Sequence, residues 1–224
     1  MKGAIFDMDG TLVDSLGYFD HLWGDMGKKF LNDPTFFPGV EDDRISRTSL
    51  LRDAMYIIQE KHHIAKDGEE LYHFADRALL NHYKNVVTPK PHAIELLEYL
   101  KSLGVKMCIA SATEPTLIKY ALEKCGMTDY FDIIVSCADV GCGKESPAVF
   151  YRALEVLGTE KEDTVVFEDS LVAIRTATDA GFRTVSIYDS HNFGQDEIKM
   201  RSEIYIGEGE TFEKAISQLG ENGK

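Results

Sequence analysis

The chain contains no run approaching the roughly 20 consecutive apolar residues of a membrane-spanning helix. Its first residues carry no apolar stretch of the signal-peptide kind. Cysteine is scarce: Cys108, Cys125, Cys137 and Cys142 follow no zinc spacing such as C-x-x-C. Reduced thiols in a cytoplasmic protein are therefore expected, with neither a structural zinc nor a disulfide. Positive charge is also in deficit, with 24 basic side chains against 38 acidic ones and a net charge of −14. Such a field repels nucleic acid and anionic membrane, so neither is an expected partner. An anionic ligand would need a locally positive site, made of a metal ion and a few placed cations. Internal repeats and low-complexity segments are missing as well.

What is present is patterned. Residues 2–7 are apolar and end at a D-G turn signal, as a short buried strand does. Beyond Ser15 the rhythm becomes helical. "YFDHLWGDMGKKF" reads as one helix, "SLLRDAMYIIQEKHHI" places Leu50, Leu51, Ala54, Met55 and Ile58 at helical spacing, and "GEELYHFADRALLNHYKN" does the same. After "VVTPKP" helices and strands alternate. Helices are expected at 92–103, 114–125, 146–158 and 170–181, each ending near a glycine, and strands at 105–110, 131–136, 163–169 and 184–189. Strands separated by helices imply right-handed crossovers and a mainly parallel sheet covered on both faces. The expected fold is thus α/β: a doubly wound, Rossmann-like core over 1–15 and 87–224, with a small α-helical cap over 16–86. Hinges are expected at Asp14–Leu16 and Val86–Pro91, and the tail "GENGK" is expected to fray.

In a doubly wound sheet, ligands bind where loops leave the carboxyl ends of the strands. The first strand ends at Asp7 and the strand "VKMCIA" runs into Ser111. The loop after "FDIIVS" carries Lys144, and "TVVF" runs into Glu168 and Asp169. Residues two apart in an extended segment point the same way, so Asp7 and Asp9 can face one locus. Neighbouring carboxylates become tolerable around a divalent cation, and oxygen ligands are those Mg²⁺ prefers. Asp169 could add a third carboxylate. An ionised Asp7 is a competent nucleophile toward phosphorus, giving an aspartyl-phosphate. Asp9 would protonate the leaving oxygen and then deprotonate the attacking water. Lys144 and Mg²⁺ would neutralise the transferring phosphoryl oxygens, with the Ser111 hydroxyl holding one of them.

Taken together, "DMDGTLVDS", "ASAT", "GKESP" and "FEDS" resemble the four motifs of the haloacid dehalogenase superfamily, in order and over essentially the whole chain outside the insert. The "EDS" form and the insert after the first motif resemble its phosphatase and β-phosphoglucomutase branch. The resemblance implies Mg²⁺ ligation by Asp7 and Asp169, with Glu168 as an additional carboxylate and Asp9 contributing its backbone carbonyl. It places phosphate contacts at Gly10, Ser111, Ala112 and Lys144. Two positions depart from the family pattern: Ala173 replaces a glycine in "EDSxxG", and His92 follows Pro91 where "PG" is usual. The implied activity is Mg²⁺-dependent hydrolysis of a small phosphorylated metabolite, with the insert as a mobile cap closing over the site. The alternatives are a β-phosphoglucomutase-like sugar phosphomutase or a non-catalytic phospho-ligand-binding protein. Phe19 stands where the mutase has a histidine, which favours hydrolysis. Oligomeric state is open, with a monomer as the expectation.

Plainer roles compete at several of these positions. Thr11 and Ser111 are candidate helix caps, Asp14–Ser15 a hinge or helix start, and Lys144 a solvated lysine. Glu168 and Asp169 are candidate caps of the helix at 170. His62, His63, His73 and His82 read as surface or interface histidines, and Trp23 and Tyr18 as packing within the insert. Arg44, Arg47 and Lys84 read as solvated-face residues.

Overall fold

The computed structural model describes residues 1–221. In chain order, β1 (Gly3–Phe6) and β2 (Val13–Asp14) precede α1 (Tyr18–Met26), α2 (Val40–Thr48), α3 (Leu51–His62) and α4 (Gly68–Asn85). The chain continues through β3 (Thr88–Pro89), α5 (Ala93–Ser102), β4 (Lys106–Ser111), α6 (Pro115–Lys124), β5 (Ile134–Ser136) and the single turn α7 (Cys137–Val140). It closes with α8 (Ala148–Leu157), β6 (Thr164–Glu168), α9 (Leu171–Asp179), β7 (Arg183–Ile187), α10 (Gln195–Arg201), β8 (Ile204–Ile206) and α11 (Glu213–Glu221). These elements pack as two compact units, 1–14 with 87–224 and 15–86.

In the α/β unit, the described strands form a six-stranded parallel sheet in the order β5-β4-β1-β6-β7-β8. The order reverses at β1, which pairs with β4 on one side and β6 on the other. A strand enclosed on both edges and both faces must be apolar throughout, and Gly-Ala-Ile-Phe is buried at every position. Phe6 stacks on Phe167 of β6 with ring centroids 4.3 Å apart, and meets the edge of Phe131 at 5.7 Å. On one face, Val149, Phe150, Ala153 and Leu157 of α8 and Ala173 and Ala177 of α9 pack on Ile5, Cys108 and Val166. Ala173, the departure from the family glycine, is completely buried in that layer. A minor two-stranded antiparallel pairing joins β2 to β3 within the same unit. All four cysteines are free thiols.

The 15–86 unit is helical. Trp23 is buried, and its indole N–H donates to Asp43 at 2.7 Å. Arg47 corrects the solvated-face expectation, since its side chain is only 12% exposed. It donates to Asp43 (2.8 Å), Asp20 (2.6 Å) and the Leu16 carbonyl (2.6 Å), with the guanidinium 5.1 Å from the centre of the Phe19 ring. A planar fork of five donors lets one side chain tie three acceptors. Of the histidines expected at a surface or interface, two are not on the open surface. His82 is buried, and the half-buried His62 lies 2.7 Å from the Asp42 carboxylate.

Several elements carry too little signal to be read in advance. α2 has only Val40 and Ile45 as apolar residues, so no helical stripe is visible. α7, α10 and β8 are likewise absent from the expected elements, α7 and β8 being only four and three residues long. α11 is also absent from them, although Ala215, Ile216 and Leu219 lie at helical spacing. The expected helix at 18–30 is α1 followed by a wider turn over Gly27–Leu31. Of the tail expected to fray, Gly220 and Glu221 belong to α11, and 222–224 lie outside the described residues. No helix among the described residues is long and apolar enough to cross a membrane.

Phe6 and Phe167 directly precede Asp7 and Glu168, so this stacked pair anchors the site as well as the sheet. Truncation by Phe6→Ala is expected to lower the unfolding free energy by about 3–5 kcal/mol, the cost of a large core cavity. Urea denaturation followed by circular dichroism checks it, and a loss under about 1 kcal/mol would refute it.

Candidate active site

Asp7 is the first residue beyond β1, and its N–H still donates to the Phe167 carbonyl at 2.9 Å, extending the ladder into the site. The chain then turns sharply. Gly10, at φ +79°, donates to Val13 O at 2.9 Å, and the N–H groups of Leu12 and Val13 converge on Met8 O. Glycine occupies this left-handed backbone without a Cβ clash. The turn places the Thr11 hydroxyl 3.0 Å from Asp169, to which it donates. Thr11 thus supports a carboxylate on another strand and is not a helix cap.

Four strand ends contribute. Asp7 comes from β1, Ser111 and its loop from β4, Lys144 from the segment after β5, and Glu168 and Asp169 from β6. The Lys144 ammonium bonds both Asp7 and Glu168, and its side chain is 11% exposed. That geometry removes the solvated-lysine reading. The second oxygen of Glu168 accepts the backbone N–H groups of Asp169 (2.9 Å) and Ser170 (3.0 Å). The cap of α9 is Ser170, whose hydroxyl accepts from Ala173 N–H at 3.3 Å. Ser111 is buried and accepts from Thr113 N–H at 3.1 Å. α6 starts four residues later, at Pro115, so Ser111 does not cap it. Ala112 lies exposed on the same loop, and the half-buried Asp9 accepts the Thr113 hydroxyl at 2.7 Å.

The electrostatics are severe. Asp7, Glu168 and Asp169 are all buried, with carboxylate oxygens within 4.8 Å of one another. Burial, opposed by the Lys144 ammonium but aided by Glu168 and Asp9, pushes the Asp7 carboxyl up to about 7. Burial and then Glu168 and Asp7 raise Asp169 well above the usual carboxylate range. Desolvation acts against the charge on Lys144, yet Asp7 and Glu168 outweigh it and raise the lysine. Fully ionised, the three carboxylates would outnumber the one ammonium by two charges, an excess that burial relieves by holding protons on Asp7 and Asp169 and that a cation would relieve instead; all the donors are hard oxygens. That set fits a divalent cation such as Mg²⁺. Asp14 lies apart, exposed at the end of β2.

Two contacts were not foreseen. Thr113 stands inside the quoted "ASAT", where its hydroxyl was available as a signal. Asn192, on the loop after β7, donates to Asp169 at 2.5 Å and belongs to none of the four motifs.

The sequence model of a hydrolase family, the haloacid dehalogenase-like hydrolases, matches residues 1–181, so Asn192 lies beyond it. A phosphorylated carbohydrates phosphatase of Thermotoga maritima is 28% identical over 87% of this chain and 89% of its own. A phosphoglycolate phosphatase of Aquifex aeolicus is 29% identical over 82% of this chain and 83% of its own. Among solved structures, a hydrolase of this type from Deinococcus radiodurans, with bound phosphate and sodium, superposes with a TM-score of 0.75. It is 22% identical, over 100% of this chain and 96% of its own. A β-phosphoglucomutase of Clostridium difficile gives 0.75 at 17% identity, over 99% and 98%. At these identities the structural likenesses establish the fold.

The raised Asp7 sets a pH dependence in the metal-free chain. Its folded pKa of about 7 lies above the ordinary 3.8, so the folded state holds a proton that the unfolded state has released. The contribution of Asp7 to stability is therefore fully present below about 4 and is lost as pH rises through about 7. Asp7→Asn, neutral at every pH, is expected to flatten that fall. At pH 8 it should raise the metal-free melting temperature by roughly 2–8 °C, about 1–2 kcal/mol. Melting curves from pH 5 to 8 in a chelator check this, and an unchanged pH slope in the variant would refute it.

Proposed function

Since the chain belongs to the haloacid dehalogenase-like hydrolases, we propose that it is a Mg²⁺-dependent phosphatase of small phosphorylated metabolites, working through an aspartyl-phosphate on Asp7. The observation that carries this reading is the buried Asp7 carboxylate held by Lys144 beside Glu168 and Asp169. The phosphatases similar to it over most of its length agree with hydrolysis of phosphoric monoesters.

Asp7 and Asp169 would hold the cation, with Asp9 adding its backbone carbonyl and Glu168 standing beside them. Bound there, Mg²⁺ would compensate the buried negative charge and screen the phosphoryl group from the carboxylates. The chain's own residues divide the remaining work. Lys144 holds one Asp7 oxygen and would supply positive charge to the phosphoryl oxygens in the transition state. Ser111 with the backbone at Ala112 and Gly10 would hold those oxygens in line with Asp7. The Asp7 oxygen attacks phosphorus and the ester oxygen departs, taking the proton that Asp9 gives up. Asp9 then removes a proton from water, which attacks the aspartyl-phosphate and regenerates Asp7 with release of phosphate. Thr113, donating to Asp9, would hold that carboxyl in place between the two half-reactions.

Asp7→Asn is expected to reduce turnover of an aryl phosphate by at least about 10³-fold, because an amide is no nucleophile toward phosphorus. Asp9→Asn should reduce it by about 10²–10⁴-fold, the usual contribution of a placed acid/base. Phosphate release from a panel of sugar, glycolate and nucleoside monophosphates, with Mg²⁺ or with chelator, checks the whole reading. Near-normal turnover by Asp7→Asn would remove the nucleophile. Isomerisation of glucose phosphates without net phosphate release would replace hydrolysis by a mutase reaction.

A further inference from the structure

The loop after β7 reaches the site from a strand that carries none of the four motifs. Asp189 is 3% exposed and accepts from Lys90 at 2.6 Å, from His191 N–H at 2.9 Å and from the His191 ring Nδ1 at 2.8 Å. Its backbone carbonyl accepts Asn192 N–H at 3.1 Å and the Gln195 amide at 3.2 Å. Gln195 also donates to the Asn192 carbonyl at 3.3 Å, and its own oxygen accepts the Tyr205 hydroxyl at 3.1 Å. The Asn192 backbone is therefore held on both sides, and its side-chain amide is directed at Asp169, 2.5 Å away.

From this geometry we infer that Asn192 is a positioning residue for the metal ligand Asp169, carried by a loop that Asp189 and Lys90 lock. The inference rests on the reading of Asp169 as a ligand. One oxygen of Asp169 accepts Thr11 and the other accepts Asn192, so the carboxylate plane is fixed from two sides. Each oxygen keeps lone-pair capacity for a cation. A ligand already held in orientation loses less freedom on binding, which is how such outer partners raise metal affinity.

Charge explains why an amide serves here. An ammonium touching Asp169 would compete with a divalent cation, whereas an amide N–H adds no net charge. The ammonium that meets this loop, Lys90 from the segment between β3 and α5, is bonded to Asp189 instead. Burial raises the Asp189 carboxyl, but Lys90 and His191 outweigh it and hold it below the usual carboxylate range. Asp189 thus stays charged and keeps Lys90 engaged, and the loop delivers only a neutral donor to the site.

The test is a calorimetric Mg²⁺ titration of the metal-stripped full chain and of Asn192→Leu, with melting curves of both in chelator. The variant is expected to bind Mg²⁺ about 10–100-fold more weakly, with its metal-free melting temperature within about 2 °C of the parent. Turnover of an aryl phosphate should then need correspondingly more Mg²⁺ for half-activity while kcat at saturating Mg²⁺ stays near the parent value. Should the leucine variant fail to fold, Asn192→Ser, too short to reach Asp169, carries the same comparison. Equal Mg²⁺ affinity in parent and variant overturns the role of Asn192 and leaves the metal reading standing. A parent chain that takes up no Mg²⁺ overturns the metal reading, and this inference with it.

Discussion

A single buried ammonium makes the site possible. Lys144 lies between Asp7 and Glu168 in a pocket where all three charges are largely out of water. Desolvating an ion pair costs several kcal/mol per ion, and such pairs persist when geometry and further hydrogen bonds satisfy them. Here Glu168 gains two backbone N–H donors, and Asp7 lies at the end of a strand paired on both edges. Without Lys144 the acidic cluster would be a set of like charges in low dielectric. With it, the cluster still lacks positive charge, and that deficit makes it receptive to a cation and then to a phosphoryl group.

The sheet supplies the rigidity this arrangement needs. β1 and β6 are neighbours at the point where strand order reverses, the position at which open α/β sheets bind ligands. Phe6 and Phe167 stack just beneath, so the carboxylates that follow them leave a packed layer with little freedom. Support from the loops is neutral in charge: Thr113 holds Asp9, while Thr11 and Asn192 hold Asp169. Hydroxyls and an amide orient carboxylates without weakening the local negative potential.

Much of this is legible in the sequence. The alternation of helix and strand after residue 87, and the placing of Asp7, Lys144, Glu168 and Asp169 after strands, rest on periodicity and turn signals that act locally. The parallel sheet and the gathering of these residues at its carboxyl edge agree with that expectation. The polar side chains were harder. Thr11 and Ser111 sit where a cap is plausible, and a local pattern cannot show that the Thr11 hydroxyl meets a residue 158 positions away. Arg47 looked like a solvated arginine because its three acceptors come from α1, α2 and the segment before α1. α2 escaped notice because its residues are mostly charged and its helical stripe is nearly empty.

Fold class, the alternation of the core's main helices and strands after residue 87, and the residue types at the strand ends are legible in the sequence. Those depend on hydrophobic spacing and on backbone preferences that reach only a few residues. The tertiary structure alone decided which charges share a pocket, how far Lys144 is desolvated, and which donors steady Asp9 and Asp169. Pairing energies depend on distance and on exclusion of water, and neither is a property of a local stretch of chain. Asn192 shows the division most plainly: an ordinary loop asparagine in the sequence, it bonds Asp169 only because β6 and β7 lie side by side.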